Sequence, residues 1–264
     1  MSAPAALSSR RPVGFPPCLS QRPSPGLRLR RVASVAILSL CAAMSAAALA
    51  ADPAQAPSGT PQRPETRSVR DLNREAFERY EAGETPRALA LFRRAARSGD
   101  ASAQYNVAVI RLRGESRTPA LSEAVALLRA SARAGFSPAQ YMLASMLETG
   151  REMPASQPEA TEWYARAAEQ GHVDAQTSLA TQYYLGRGIA QDYAAAARWY
   201  ERAADGGDVG AQYLIASMYE RGLGVGLDLR VALDWYAAAA RQGDDVARAQ
   251  ARVIADRIAR ERDS

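Results

Sequence analysis

Few residues in this chain can do covalent chemistry, and they are scattered. His172 is the sole histidine and follows Gly171 directly. Acid–base work or metal ligation there would need a second imidazole, carboxylate or thiolate held close by, so it is expected to be an exposed turn residue. All 33 basic residues are arginine, so no lysine amine is available for a Schiff base. Both cysteines, Cys18 and Cys41, fall within the first fifty residues. The remainder therefore has no thiol nucleophile, thiolate ligand or disulfide. The acid pairs Asp244-Asp245 and Glu159/Glu162 read as a helix N-terminal turn and a solvated face. Gly186/Gly188 and Gly222/Gly224 end helical patterns and do not follow strands, so they do not form a phosphate cradle. No catalytic residue, cofactor or metal site is expected.

One set of side chains does recur. Trp163-Tyr164, Trp199-Tyr200 and Trp235-Tyr236 form a ladder that could stack sugars or peptides. They lie on an apolar helical stripe beside recurring alanines, so both rings of each pair are expected in the core. The elements that carry them repeat as well. Gly99, Gly135, Gly171, Gly207 and Gly243 recur every 36 residues. Gln104, Gln140, Gln176 and Gln212 keep the same step, as do Ala108, Ala144, Ala180 and Ala216. A period of this length marks a solenoid whose units bury their apolar faces only against neighbours.

The unit ending at Gly207 is the cleanest. Helix A runs over 175–185 with Ala175, Leu179, Ala180 and Tyr183 on one face. Gly186 ends it, Asp192 caps helix B, and Ala196, Trp199, Tyr200, Ala203 and Ala204 form the buried face. Asp228 repeats the cap in the next unit. Ser116 and Glu152 stand where later units have Gly188 and Gly224, which implies a looser or shifted A–B loop. Thr118-Pro119 is expected to cap the first unit's helix B. In the opening pair, Thr85 is expected as N-cap with Pro86 at the first helical position. The resulting organisation is a leader over 1–50, a Pro-rich disordered tether over 51–69, and a tetratricopeptide-like pair over 70–99. Four 36-residue units follow over 100–243, and residues 244–264 form a C-terminal capping helix and tail.

Charge narrows the partner class. The net +5 arises in the leader, which holds six arginines and no acid; residues 51–264 carry 27 arginines against 28 acids. A near-neutral body gives no electrostatic reason to bind nucleic acid. The arginines at 28, 30 and 31, the alanine-rich stretch 32–48 and the small residues of Ala48-Leu49-Ala50 read as a signal peptide cut before Ala51. Periplasmic or secreted localisation follows. An uncleaved anchor or a lipidated Cys41 would place the chain at the membrane instead.

The strings over 175–207 and 211–244 resemble Sel1-like repeats: Ala-Gln, an apolar-Ala pair, Tyr, Gly-x-Gly, Asp, then Ala-x-x-Trp-Tyr-x-x-Ala-Ala and a closing Gly. The resemblance implies an all-α, right-handed α/α solenoid of Sel1-like and tetratricopeptide-like helix pairs. It also implies a protein-interaction scaffold; with no catalytic set in the chain, the expectation is a non-enzymatic monomer that binds a protein partner in the cell envelope along its A helices. A peptidoglycan- or glycan-binding module is the alternative, with a cell-wall hydrolase behind it. On helix A one stripe differs between units while the packed positions agree. It comprises Asn106, Val109 and Arg113; Met142, Ser145 and Thr149; Ser178, Thr181 and Leu185; and Leu214, Ser217 and Arg221. These lie at i, i+3, i+7 on one face, and form the candidate partner-binding surface.

Overall fold

The computed structural model describes residues 68–116 and 120–263. The leader, the tether up to residue 67 and Thr118-Pro119 lie outside the described residues. Those described form eleven helices and no strand: α1 (Val69–Glu81), α2 (Thr85–Arg97), α3 (Ala101–Leu112), α4 (Leu121–Arg133), α5 (Ser137–Thr149), α6 (Gln157–Glu169), α7 (Val173–Leu185), α8 (Tyr193–Asp205), α9 (Val209–Arg221), α10 (Leu229–Arg241) and α11 (Asp245–Arg262). Odd-numbered helices up to α9 are A helices and even-numbered ones are B helices. Each helix packs on its neighbours in sequence, which makes the chain an α/α solenoid.

Alanine allows this stacking. Ala144, Ala160, Ala180, Ala196, Ala216 and Ala232 are fully buried, so adjacent helices approach with little between them. Tyr164, Tyr200 and Tyr236 fill the remaining volume at 1–2% exposure. Consecutive units are tied by the recurring glutamine. Gln140, Gln176 and Gln212 donate their side-chain N–H groups to the carbonyls of Ala132, Ala168 and Ala204 at 3.1, 3.2 and 3.1 Å. Each joins an A helix to the last turn of the preceding B helix.

The A–B loops pack as tightly as the helices. Gly188, at φ +70°, abuts the start of α6; a Cβ there would sit 2.4 Å from the Gln157 carbonyl oxygen. Gly224 meets Tyr193 in the same way at 2.2 Å. Thr161 donates its hydroxyl hydrogen bond to the Arg187 carbonyl, which pins the same loop. Glu152 occupies the equivalent position in the α5–α6 loop and keeps a left-handed φ of 60°. The expected shift of that loop is therefore corrected: the backbone keeps the handedness of the glycine loops, and the non-glycine residue bears the strain.

Several local expectations change. Glu84, not Thr85, is the N-cap of α2, and makes no side-chain cap bond. The chain turns into the helix one residue early, so Pro86 sits in the second helical position. Asp192 and Asp228 cap α8 and α10 as expected. The tryptophans are not equivalent to the tyrosines beside them. Trp163 is 8% exposed, whereas Trp199 and Trp235 are only half-buried. The guanidinium groups of Arg166 and Arg202 lie 4.4 and 4.6 Å over the rings of Trp163 and Trp199. In the later two pairs the tyrosine points inward and the tryptophan lies nearer the rim, Trp199 under a cation. In α11, Ala247 and Ile254 are buried against the last unit while Val246 and Val253 face outward.

His172 is half-buried, not an exposed turn residue. It caps α7, its Nδ1 accepting the Ala175 N–H at 3.4 Å, and it stacks on Tyr141 with ring centroids 4.8 Å apart. Asp100, Asp208 and Asp244 do the same job at the same register, each accepting an N–H three residues on.

Two predictions follow from these placements. Tyr200→Ala should cost about 3–5 kcal/mol in thermal or denaturant unfolding, and Trp199→Ala clearly less, because part of its ring is already in water. Equal losses would show the two rings to be equally buried. Burial lowers the His172 pKa from its ordinary 6.5, and Nδ1 can accept only when neutral. Protonation then favours the unfolded chain: the stabilisation is complete above about 6.5 and disappears as pH falls through the lowered folded value. The melting temperature should therefore fall more between pH 7.5 and pH 5.5 in the parent than in His172→Asp, which supplies the cap of the other units. Matching profiles would show that the imidazole is not the titrating group.

Candidate functional site

The A-helix stripe is a face with a half-buried floor and one open edge. Asn106, Val109, Met142, Ser145, Ser178, Thr181, Leu214 and Ser217 are all half-buried. Arg113, Thr149, Leu185 and Arg221 are exposed. The exposed four each sit at or next to the C-terminal end of an A helix, so one edge of the face is the more open. Val109 and Met142 lean on the core cluster around Leu143, and Leu214 on the cluster around Ile215. Leu185, at 41% exposure, is the most open apolar member.

Some of the stripe's hydroxyls are already engaged. The Thr181 hydroxyl lies 2.9 Å from the Tyr200 hydroxyl. Ser178 lies near the Tyr141 and Tyr164 hydroxyls, and Ser217 near that of Tyr236. Thr149 donates to the Ser145 carbonyl at 2.8 Å. The B-helix tyrosines thus run through the core and surface on the A-helix face, where small hydroxylated residues receive them. Burial raises the Tyr200 hydroxyl to about 12. Tyr164 and Tyr236 are raised further, by burial and then by a neighbouring carboxylate.

Those carboxylates were not singled out in the sequence. Glu148 accepts the Tyr164 hydroxyl at 2.7 Å and the Gln182 amide at 2.8 Å, so it joins α5, α6 and α7. Glu220 accepts the Tyr236 hydroxyl at 2.8 Å and the Gln250 amide at 3.0 Å, joining α9, α10 and α11. Their register, 72 residues apart with Tyr184 between, is the available signal. Among the described residues no cluster of His, Cys, Asp and Glu could hold a metal ion. The face offers shape, apolar spots and hydrogen-bonding groups at intervals of one unit, an arrangement suited to recognition.

The comparisons agree with this geometry. The Sel1 repeat matches residues 83–100, 101–136, 137–172, 173–208 and 209–244, more than half of the chain. A protective antigen of uropathogenic Escherichia coli with an SLR fold is 30% identical over 68% of this chain, with a TM-score of 0.64. This chain spans only 39% of that protein. A Sel1 repeat protein from Oxalobacter formigenes is 28% identical over 70% of this chain and 78% of its own, with a TM-score of 0.62. No curated protein matches. The first matched segment, 83–100, covers only the second half of the opening pair, whose helices α1 and α2 are joined by a three-residue connection. With five matched segments in register and the helix pairs they require, the chain belongs to the Sel1 repeat family.

Proposed function

We propose that the protein is an exported, non-catalytic scaffold that holds another protein of the cell envelope against its A-helix face. The observation that carries this reading is the stripe itself. At one register of every unit the packed positions agree, yet the adjoining half-exposed ones change from Met142 to Leu214 and from Arg113 to Leu185. A face that packing does not dictate, with apolar spots among polar groups, has the make-up of a protein-binding surface. For the glycan-binding alternative, Trp163 is buried and Arg202 covers the half-buried Trp199, so the three rings do not form a continuous stacking platform.

Export rests on the leader. Intact-mass analysis of envelope protein should give an N-terminus near Ala51. A chain that retains residues 1–50 in the cytoplasm would overturn the location, and a lipidated Cys41 would move it to a membrane anchor.

Binding is tested by replacing Met142, Leu185 and Leu214 together with Ser. Partners captured from envelope extracts by the parent should be lost by the triple variant, at about 1–2 kcal/mol for each anchor removed. Helicity should be retained. Arg198→Ser, on an exposed B-helix position, should capture them as the parent does. Arg166 is unsuitable as a control because it covers Trp163. Normal capture by the triple variant would place recognition elsewhere.

A further inference from the structure

On the other side of the A helix, the first 36-residue unit departs from its siblings. A cavity of about 470 Å³ opens between α2, α3 and α4, lined by Arg93, Arg97, Val107, Arg111, Glu123 and Leu127. Val107 and Arg111 are turned roughly 150° around α3 from Asn106, Val109 and Arg113, given the helical repeat of about 100° per residue. The cavity exists because large residues are missing. Leu127 stands where later units carry Trp163, Trp199 and Trp235, and Val107 where they carry Leu143, Leu179 and Ile215. Arg111 replaces Leu147, Tyr183 and Tyr219.

The charge in this space is unbalanced. In the next unit Arg129, the counterpart of Arg93, pairs with Glu159 at 3.2 Å, and Trp163 fills the gap. In the first unit the counterpart carboxylate, Glu123, pairs instead with Arg111. Arg93 and Arg97 are left with no carboxylate partner among the described residues. Arg111 is 3% exposed, and its Nε has no hydrogen-bond partner. A guanidinium removed from water with a donor unused carries a desolvation cost that a second carboxylate would offset. One acid among three arginines leaves the pocket with an excess of two positive charges.

We propose that this pocket is a second recognition site, which takes the carboxylate side chain of an acidic peptide segment. The carboxylate would lie between the Arg111 Nε and the Arg93 and Arg97 guanidiniums. The aliphatic stem would lie against Val107 and Leu127, a fit that favours glutamate over a bare anion. The site is independent of the A-helix stripe.

The test uses the full chain and a fluorescent, end-capped Leu-Glu-Leu-Glu peptide, with Leu-Gln-Leu-Gln as its neutral counterpart, followed by anisotropy at low salt. The acidic peptide should bind at least tenfold more tightly than the neutral one. Leu127→Trp, which restores the residue of the other units, should weaken it at least tenfold while melting no lower than the parent. Arg111→Met and Arg97→Ala should each weaken it several-fold. The Met142, Leu185 and Leu214 triple variant should bind the peptide unchanged, which separates this site from the stripe. Equal affinity for the two peptides, no binding by the parent, or full binding by Leu127→Trp would overturn the proposal. So would loss of binding in the triple variant. Inorganic phosphate that displaces the peptide at equal concentration would show a site for free anions and overturn the peptide assignment.

Discussion

The array depends on one repeated hydrogen bond, from the glutamine of α5, α7 and α9 to a carbonyl in the last turn of the B helix before it. Gln140, Gln176 and Gln212 are buried at 4–8% exposure, and each would be costly if unpaired. The amide has a fixed length and two directions, so the bond sets the spacing at which one unit meets the next. It continues onward: Gln170 donates to the Gln140 side-chain oxygen at 2.6 Å, and Gln242 to that of Gln212 at 2.9 Å. Three helices are thereby held around one side chain. The alanines then close the gaps that the bond defines, because a larger residue at their positions would force the bonded helices apart.

With the junction fixed, units still vary in particular places. The A-helix stripe and the first-unit cavity are two such places, and they differ in kind. On the stripe, side chains change while the backbone and the tyrosines beneath stay in place. In the cavity a smaller residue replaces a larger one and a charge enters the vacated volume. A solenoid tolerates both, because the energetic consequences of a change reach little further than the adjoining unit.

Much of this was legible from spacing. The helices, the aspartate caps Asp192 and Asp228 and the packed faces of α7 and α8 follow from residue types at fixed offsets. Other features were not. An apolar stripe does not distinguish its centre from its rim, so Trp199 and Tyr200 looked alike. His172 looked idle because imidazole is an unusual cap, and its role emerges only from the aspartates in register with it. Arg111 was hidden in plain view, two positions from Val109 and Arg113, which looked like a surface. Its register, shared with Leu147, Tyr183 and Tyr219, is what marks it as interior. Glu148 and Glu220 escaped for a related reason: their partners come from two other helices each, and no single helix pattern shows them.

Those two carboxylates have a further consequence. Glu148 clasps α5 to α7, and Glu220 clasps α9 to α11. Between them α8 is tied to α7 by the Tyr200–Thr181 contact and to α9 by the Tyr219–Glu201 and Gln212–Ala204 bonds. A chain of near-identical units is thereby tied across every second unit as well as between neighbours. The smallest element that unzips is then set by the clasps, two units apart, and is larger than the single 36-residue period written in the sequence.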